Sequence, residues 1–145
     1  MDTTRNVLLI RITKSYGELL EKGEAITDEQ VYGCVRGRWD LCKEKAEGVD
    51  YIFAVYNSVI VGVYSATAWH DCDENDSAVN PNWVGEEPNR IYFTRHEKPS
   101  FEEILIRGLC VNKPVGVEMH RNPLFYVTLT YGVGGENGFC MSPAE

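Results

Sequence analysis

The chain has no apolar run near the roughly 20 residues that a membrane helix needs. No membrane role is expected from it. Its N-terminus, Met1-Asp2-Thr3-Thr4-Arg5, has no apolar stretch ahead of a small-residue cleavage site, so a signal peptide is not expected. The cysteines form no CxxC pair. There are five, at Cys34, Cys42, Cys72, Cys110 and Cys140, an odd and scattered set that suits a reducing compartment. A cytoplasmic location follows as the expectation. The three histidines (His70, His96, His120) lie at no zinc-ligand spacing, and no metal site or cofactor is expected. Positive charge is also scarce. Lys plus Arg number 14 against 22 Asp plus Glu, a formal net charge of −8, so long-range attraction to a polyanion is excluded. The signatures of common catalytic sites, GxSxG, HExxH and the Walker loop, are absent, and no catalytic residue is assigned.

What is present describes one ordinary globular domain. The 145 residues are 43% hydrophobic and 25% charged, enough for a core without disulfide or metal. Val7 to Thr13 (VLLIRIT) reads as a first strand, and Tyr16 to Lys22 as a short helix before Gly23. Thr27-Asp28-Glu29-Gln30 is a capping box, with Thr27 as N-cap and Gln30 at the third helical position, opening a helix to about Cys34. Asp40 to Glu47 is charged and reads as one or two helical turns closed by Gly48. Tyr51–Tyr56 and Val59–Tyr64 are rich in β-branched and aromatic residues around a two-residue Asn57-Ser58 turn, which predicts a hairpin. If the second strand continues to Trp69, alternation puts Tyr64 and Trp69 on opposite faces. His70 to Glu87 reads as a polar loop. Its acids resemble a calcium loop only superficially, since Asp76 and Asn82 replace the required Gly and Glu. Arg90–Arg95 reads as a strand. Ser100-Phe101-Glu102-Glu103 caps a helix expected to stop at Gly108, followed by a short strand at 109–111. Leu124–Tyr131 is the last predicted strand. A single domain is expected over residues 1–131, with a glycine-rich, frayed tail at 132–145. Five or six short strands with two or three short helices make the fold class α+β or a small barrel.

Arg36-Gly37-Arg38-Trp39 is the segment best equipped for ligand chemistry. Gly37 permits a sharp turn, and two guanidiniums beside an indole offer forked donors and a stacking face. That set suits a phosphate with a base. The bland alternative is a surface turn whose Trp is core and whose arginines pair with acids. Trp39 and Trp69 both lie next to loops and are the candidate stacking walls, because aromatic stacking of bases does not require strong positive charge. Asn122, before Pro123, either caps a turn or presents an amide to a pocket.

In order along the chain, the motifs are Val35-Arg36-Gly37-Arg38-Trp39, Ala54-Val55-Tyr56, Gly62-Val63-Tyr64, Trp69, Arg90-x-x-Phe93, Val111-Asn112-Lys113-Pro114-Val115 and Asn122-Pro123 before Tyr126-Val127. This arrangement resembles the small accessory domain found beside GIY-YIG nuclease domains in bacterial proteins, related to the PUA-like superfamily with its EVE, ASCH and YTH domains. The likeness covers residues 7 to about 130, and the RGxW motif with its hairpin carries most of it. The resemblance implies a small mixed β pseudo-barrel that binds RNA or holds a modified base in an aromatic pocket. Trp39 and Trp69 would be walls, Arg36 and Arg38 would contact phosphate or base edges, and Arg90 and Asn122 would contribute. The chain departs from the pattern in its strong negative charge, and no nuclease domain is expected beside it. The expected function is a non-enzymatic binding module for a modified base, a nucleotide or short single-stranded nucleic acid. The rival expectation is an acidic inhibitor, of the kind a phage or mobile element would carry. It would use the acids of Asp71–Asp76 to cover the nucleic-acid-binding surface of a basic protein partner.

Overall fold

The structure, a computed structural model, describes residues 2–37, 39–71, 90–117, 123–132 and 138–144. Among these residues there are seven strands in two sheets and four helices, so the chain is α+β. The strands are β1 (Asp2–Arg11), β2 (Tyr51–Tyr56), β3 (Val59–Tyr64), β4 (Ala66–Asp71), β5 (Ile91–Arg95), β6 (Leu124–Gly132) and β7 (Phe139–Pro143). The helices are α1 (Thr13–Glu21), α2 (Asp28–Val35), α3 (Lys43–Glu47) and α4 (Phe101–Cys110). Five strands form a mixed sheet in the order β3-β2-β1-β6-β7, in which only β1 and β2 run parallel. The antiparallel β4–β5 ribbon is a second sheet. No closed barrel forms among the described residues, and none of their helices is long and apolar enough to cross a membrane.

The run Val7-Leu8-Leu9-Ile10 explains the layering. A strand buried on both faces is apolar throughout rather than alternating. Val7 and Leu9 join Phe53, Val55, Val127 and Leu129 in one core, beneath Ile106 and Cys110 of α4. Leu8 and Ile10 join Ile52, Ala54, Val31 and Val35 in a second core, which also holds Trp69, Ile91 and Phe93 from the ribbon. The central sheet therefore lies between α4 on one face and α1–α3 with the ribbon on the other.

Several local signals match the structure. Thr27 Oγ1 accepts from the Gln30 amide at 3.2 Å while Gln30 Oε1 accepts from the Thr27 amide at 2.9 Å. Asn57 and Ser58 both have positive φ, 52° and 63°, as a tight hairpin turn requires. Other expectations are corrected. The strand after Asn57-Ser58 does not run on to Trp69: it ends at Tyr64, and β4 belongs to the other sheet. Tyr64 and Trp69 consequently lie in the same core rather than on opposite faces. Residues 109–111 form no strand. Helix α4 passes through Gly108 to Cys110 and is closed by Val111, with Asn112 at φ 72° taking the left-handed position usual for glycine. Burial of Cys110 outweighs the roughly 1 kcal/mol that a helical glycine costs. The segment expected to fray after Gly132 returns as β7, paired with β6 from Tyr131↔Phe139 to Val127↔Pro143.

Candidate functional site

The segment after α2 runs antiparallel to β5 and is held there by its backbone. The Phe93 amide donates to the Arg36 carbonyl at 2.9 Å, and Trp39 and Ile91 exchange both amide bonds, at 2.9 and 3.0 Å. Arg36 and Trp39 are thereby fixed at the edge of the ribbon. The Trp39 indole is fixed again by its own N–H, which donates to the Val35 carbonyl at 2.7 Å. Its ring is partly exposed and packs at the margin of the second core. The Arg36 guanidinium stands 5.1 Å from the Tyr32 ring centroid and 5.6 Å from that of Tyr92, within cation–π range of both. On the same ribbon, His70 stacks on Tyr92 at 5.0 Å and its Nε2 lies 3.3 Å from Thr94 Oγ1.

Of the six expected ligand contacts, the structure brings together Arg36, Trp39 and Arg90. Arg90 directly precedes Ile91, the pairing partner of Trp39. Trp69 does not stand as an open wall. It is 4% exposed and packs on Phe93 at 5.1 Å. The end of β3 at Tyr64 puts Trp69 on the ribbon, where its face turns to the core. Arg38 and Asn122 lie outside the described residues, as do Asp73, Glu74 and Asp76 of the acidic loop.

The sequence made neither Tyr32 nor Tyr92 a pocket candidate. Tyr32 precedes Arg36 by four residues, so both occupy one helical face, and that i, i+4 spacing was the available signal. Arg95 was missed altogether. Its guanidinium lies 4.4 Å from the Tyr32 centroid and pairs with Asp28 Oδ2 at 3.0 Å and Glu29 Oε1 at 2.8 Å. Tyr64 also donates to Asp28 Oδ1, at 2.9 Å, and burial pushes its phenol well above the usual range. These contacts clamp the start of α2 to the ribbon through Arg95 and to β3 through Tyr64.

A second polar cluster surrounds the first turn of α4. Glu102 accepts from Arg5 through two bonds of 2.9 Å, from Tyr51 at 2.6 Å and from Tyr131 at 2.8 Å. Chiefly because of the Arg5 bonds, its carboxyl is held down at about 2. With four donors on two oxygens, Glu102 is fully engaged, which suits a structural tie rather than a proton-transfer group. Glu103, 2% exposed, is bound by Ser65 and by Arg107 at 3.2 Å.

Comparison with known proteins gives no match for the chain: no family model, no curated protein and no solved structure. The likeness to PUA-like domains therefore rests on the residues quoted for it above.

Proposed function

We propose that this protein is a non-enzymatic binding module that holds a modified base or nucleotide-sized ligand against the Arg36–Trp39 segment. The observation that carries this reading is the double anchoring of Trp39. Its backbone is paired to Ile91 and its indole N–H is tied to Val35, yet the residue is only partly buried, three positions after Arg36 on the same paired segment. A stacking surface whose orientation is already set loses little entropy when a base lies on it. Arg36 adds a forked donor at the same edge, and Arg90 a second cation next to Ile91. Trp69, through Phe93, makes the floor rigid rather than acting as a wall. A PUA-like origin for the module belongs to the same proposal. So does the expectation that an extruded or single-stranded base is preferred, since a base already outside a stack costs less to capture.

The test is a thermal-shift and calorimetric panel of free nucleotides, cyclic and dinucleotide signals, and short single strands with and without modified bases. Wild type is compared with Trp39→Ala and Trp39→Phe. One ligand class should raise the melting temperature of the wild type. Trp39→Ala should weaken its binding by about 1–3 kcal/mol, with Trp39→Phe retaining part of the affinity. Recovery of the ligand chemically unchanged distinguishes binding from turnover. Unchanged affinity in Trp39→Ala, or no shift across the whole panel with all proteins folded, overturns the assignment.

A further inference from the structure

The two edges of the five-stranded sheet are finished differently. At β3 the edge is covered. Ile60 donates to the Lys113 carbonyl at 3.0 Å, Asn112 donates to the Ile60 carbonyl at 2.8 Å, and Val115 donates to the Ser58 carbonyl at 2.9 Å. Arg107 takes the Val63 carbonyl at 2.8 Å. At β7, among the described residues, no strand or segment lies outside the edge. An open edge is a template for further pairing, and proteins usually blunt it with lysine or other charges. The five residues of β7, Phe139-Cys140-Met141-Ser142-Pro143, include no charge.

The register shows which backbone groups this edge presents. Ala144 donates to the Tyr126 carbonyl at 3.0 Å, which makes 144 and 126 a hydrogen-bonded pair. Alternation along an antiparallel ladder then turns Ser142 and Cys140 inward to β6 and turns Phe139, Met141 and Pro143 outward. Pro143 fits this phase, because its missing N–H falls where β6 asks for none. The outward row therefore holds the N–H and C=O of Phe139 and Met141 and the C=O of Pro143.

Beside this row lies a cavity of about 390 Å³, between β7, the end of α4 and the 113–116 segment. Its apolar lining includes Leu109, Pro114, Val115, Phe139 and Met141. The one charged side chain in the lining is Lys113, on a chain whose formal net charge is −8. Lys113 makes no ion pair among the described residues. A ladder alone would accept any strand, and a cavity alone any apolar group. Together they select an extended chain that adds to β7 and drops alternate side chains into the groove. The lone cation adds a preference for a carboxylate close to the apolar residue.

We propose that the β7 edge and its groove form a docking site for an extended acidic-apolar peptide segment of a partner protein, bound by strand addition. The segment carries an apolar side chain for the cavity and an Asp or Glu beside it for Lys113.

The test uses a labelled, acetylated hexapeptide TVLVET, its TVLVKT counterpart, and TVLVET with backbone N-methyl groups on alternate residues. Binding is read by fluorescence anisotropy. TVLVET should bind saturably, and the N-methylated form should lose about tenfold or more, because methylation removes ladder donors and leaves the side chains intact. Lys113→Glu should weaken TVLVET by about threefold and reverse the preference in favour of TVLVKT. Met141→Pro should abolish binding while leaving the pairing with β6, which does not use the Met141 amide. If that variant fails to fold, the Lys113 charge exchange and the N-methylated peptide still decide. Absence of TVLVET binding up to its solubility overturns the proposal, as does equal binding of the N-methylated form. Light scattering supplies the remaining outcome: a concentration-dependent dimer lost in Phe139→Pro would mean that a second copy covers the edge, and would overturn it as well.

Discussion

At the scale of single residues, Glu102 ties together positions far apart in the chain. One carboxylate joins Arg5 of β1, Tyr51 of β2 and Tyr131 of β6 to α4. Its folded acidity is lowered to about 2 from an ordinary value of 4.5, so the charged form is the one the fold stabilises. That stabilisation is fully present above the ordinary value and is lost as pH falls from 4.5 toward about 2. We expect Glu102→Gln to lower stability at neutral pH by about 2 kcal/mol, since the charge is lost and the amide nitrogen cannot accept from the two donors that one carboxylate oxygen held. Its melting temperature should also change less than that of the wild type over that acid window. Calorimetry from pH 7 to 2 checks both, and parallel curves for the two proteins would refute the assignment. The same chemistry pushes the Tyr51 and Tyr131 phenols above their ordinary value, through burial first and then through the Glu102 contact.

At the scale of elements, the β2–β3 hairpin combines a favourable turn with a crowded flank. Ser58 holds φ 63°, a left-handed conformation that costs a non-glycine residue about 1–2 kcal/mol. Glycine removes that cost but loses about 0.5–1 kcal/mol more entropy on folding. The first effect is larger, so Ser58→Gly should raise stability by about 0.5 kcal/mol, read as a shift in the urea midpoint. Gly62 is the opposite case. A Cβ there would lie 2.8 Å from a Tyr64 ring carbon and 2.9 Å from Val31 Cγ1. Gly62→Ala should cost about 1–3 kcal/mol by overpacking where α2 meets β3. A neutral Gly62→Ala would show that α2 can shift away from the sheet. The bulge between Ala54 and Val55 also acts at this scale. It shifts the phase of β3, so Ile60 and Val63, three residues apart, enter the same core while Tyr64 enters the other.

At the scale of the whole molecule, the mixed sheet depends on its last strand. β7 contributes Met141 and Phe139 to the α4-side core and covers the outer edge of β6. Removing residues 133–145 should therefore lower the melting temperature and increase aggregation, because β6 would become an exposed apolar edge. Truncated and full-length chains compared by calorimetry and light scattering test this. An unchanged melting temperature would mean that β7 is only an ornament of the sheet. The ribbon is placed at the same scale. Arg95, paired with Asp28 and Glu29, holds the start of α2 against β5, and the Arg36–Trp39 segment follows from there.

Local chemistry written in consecutive residues was enough for most elements. The Thr27–Gln30 capping box, the Asn57-Ser58 turn and the VLLI run each act within a few residues, so they read correctly without a partner in view. The α+β class follows from their sum. The RGxW segment was legible as a candidate for the same reason, as four adjacent residues with complementary chemistry. Tertiary structure decided the rest, because burial and pairing depend on residues distant in sequence. Trp69 is core because β4 leaves the sheet of β3. Glycine 108 does not stop α4 because Cys110 has a core to enter. Arg36 reaches Tyr32 and Tyr92, and Arg95 reaches Tyr32, only once α2 meets the ribbon. A glycine-rich tail becomes a strand because β6 presents it with an unpaired edge, and the Glu102 tie exists only where three strands and a helix converge.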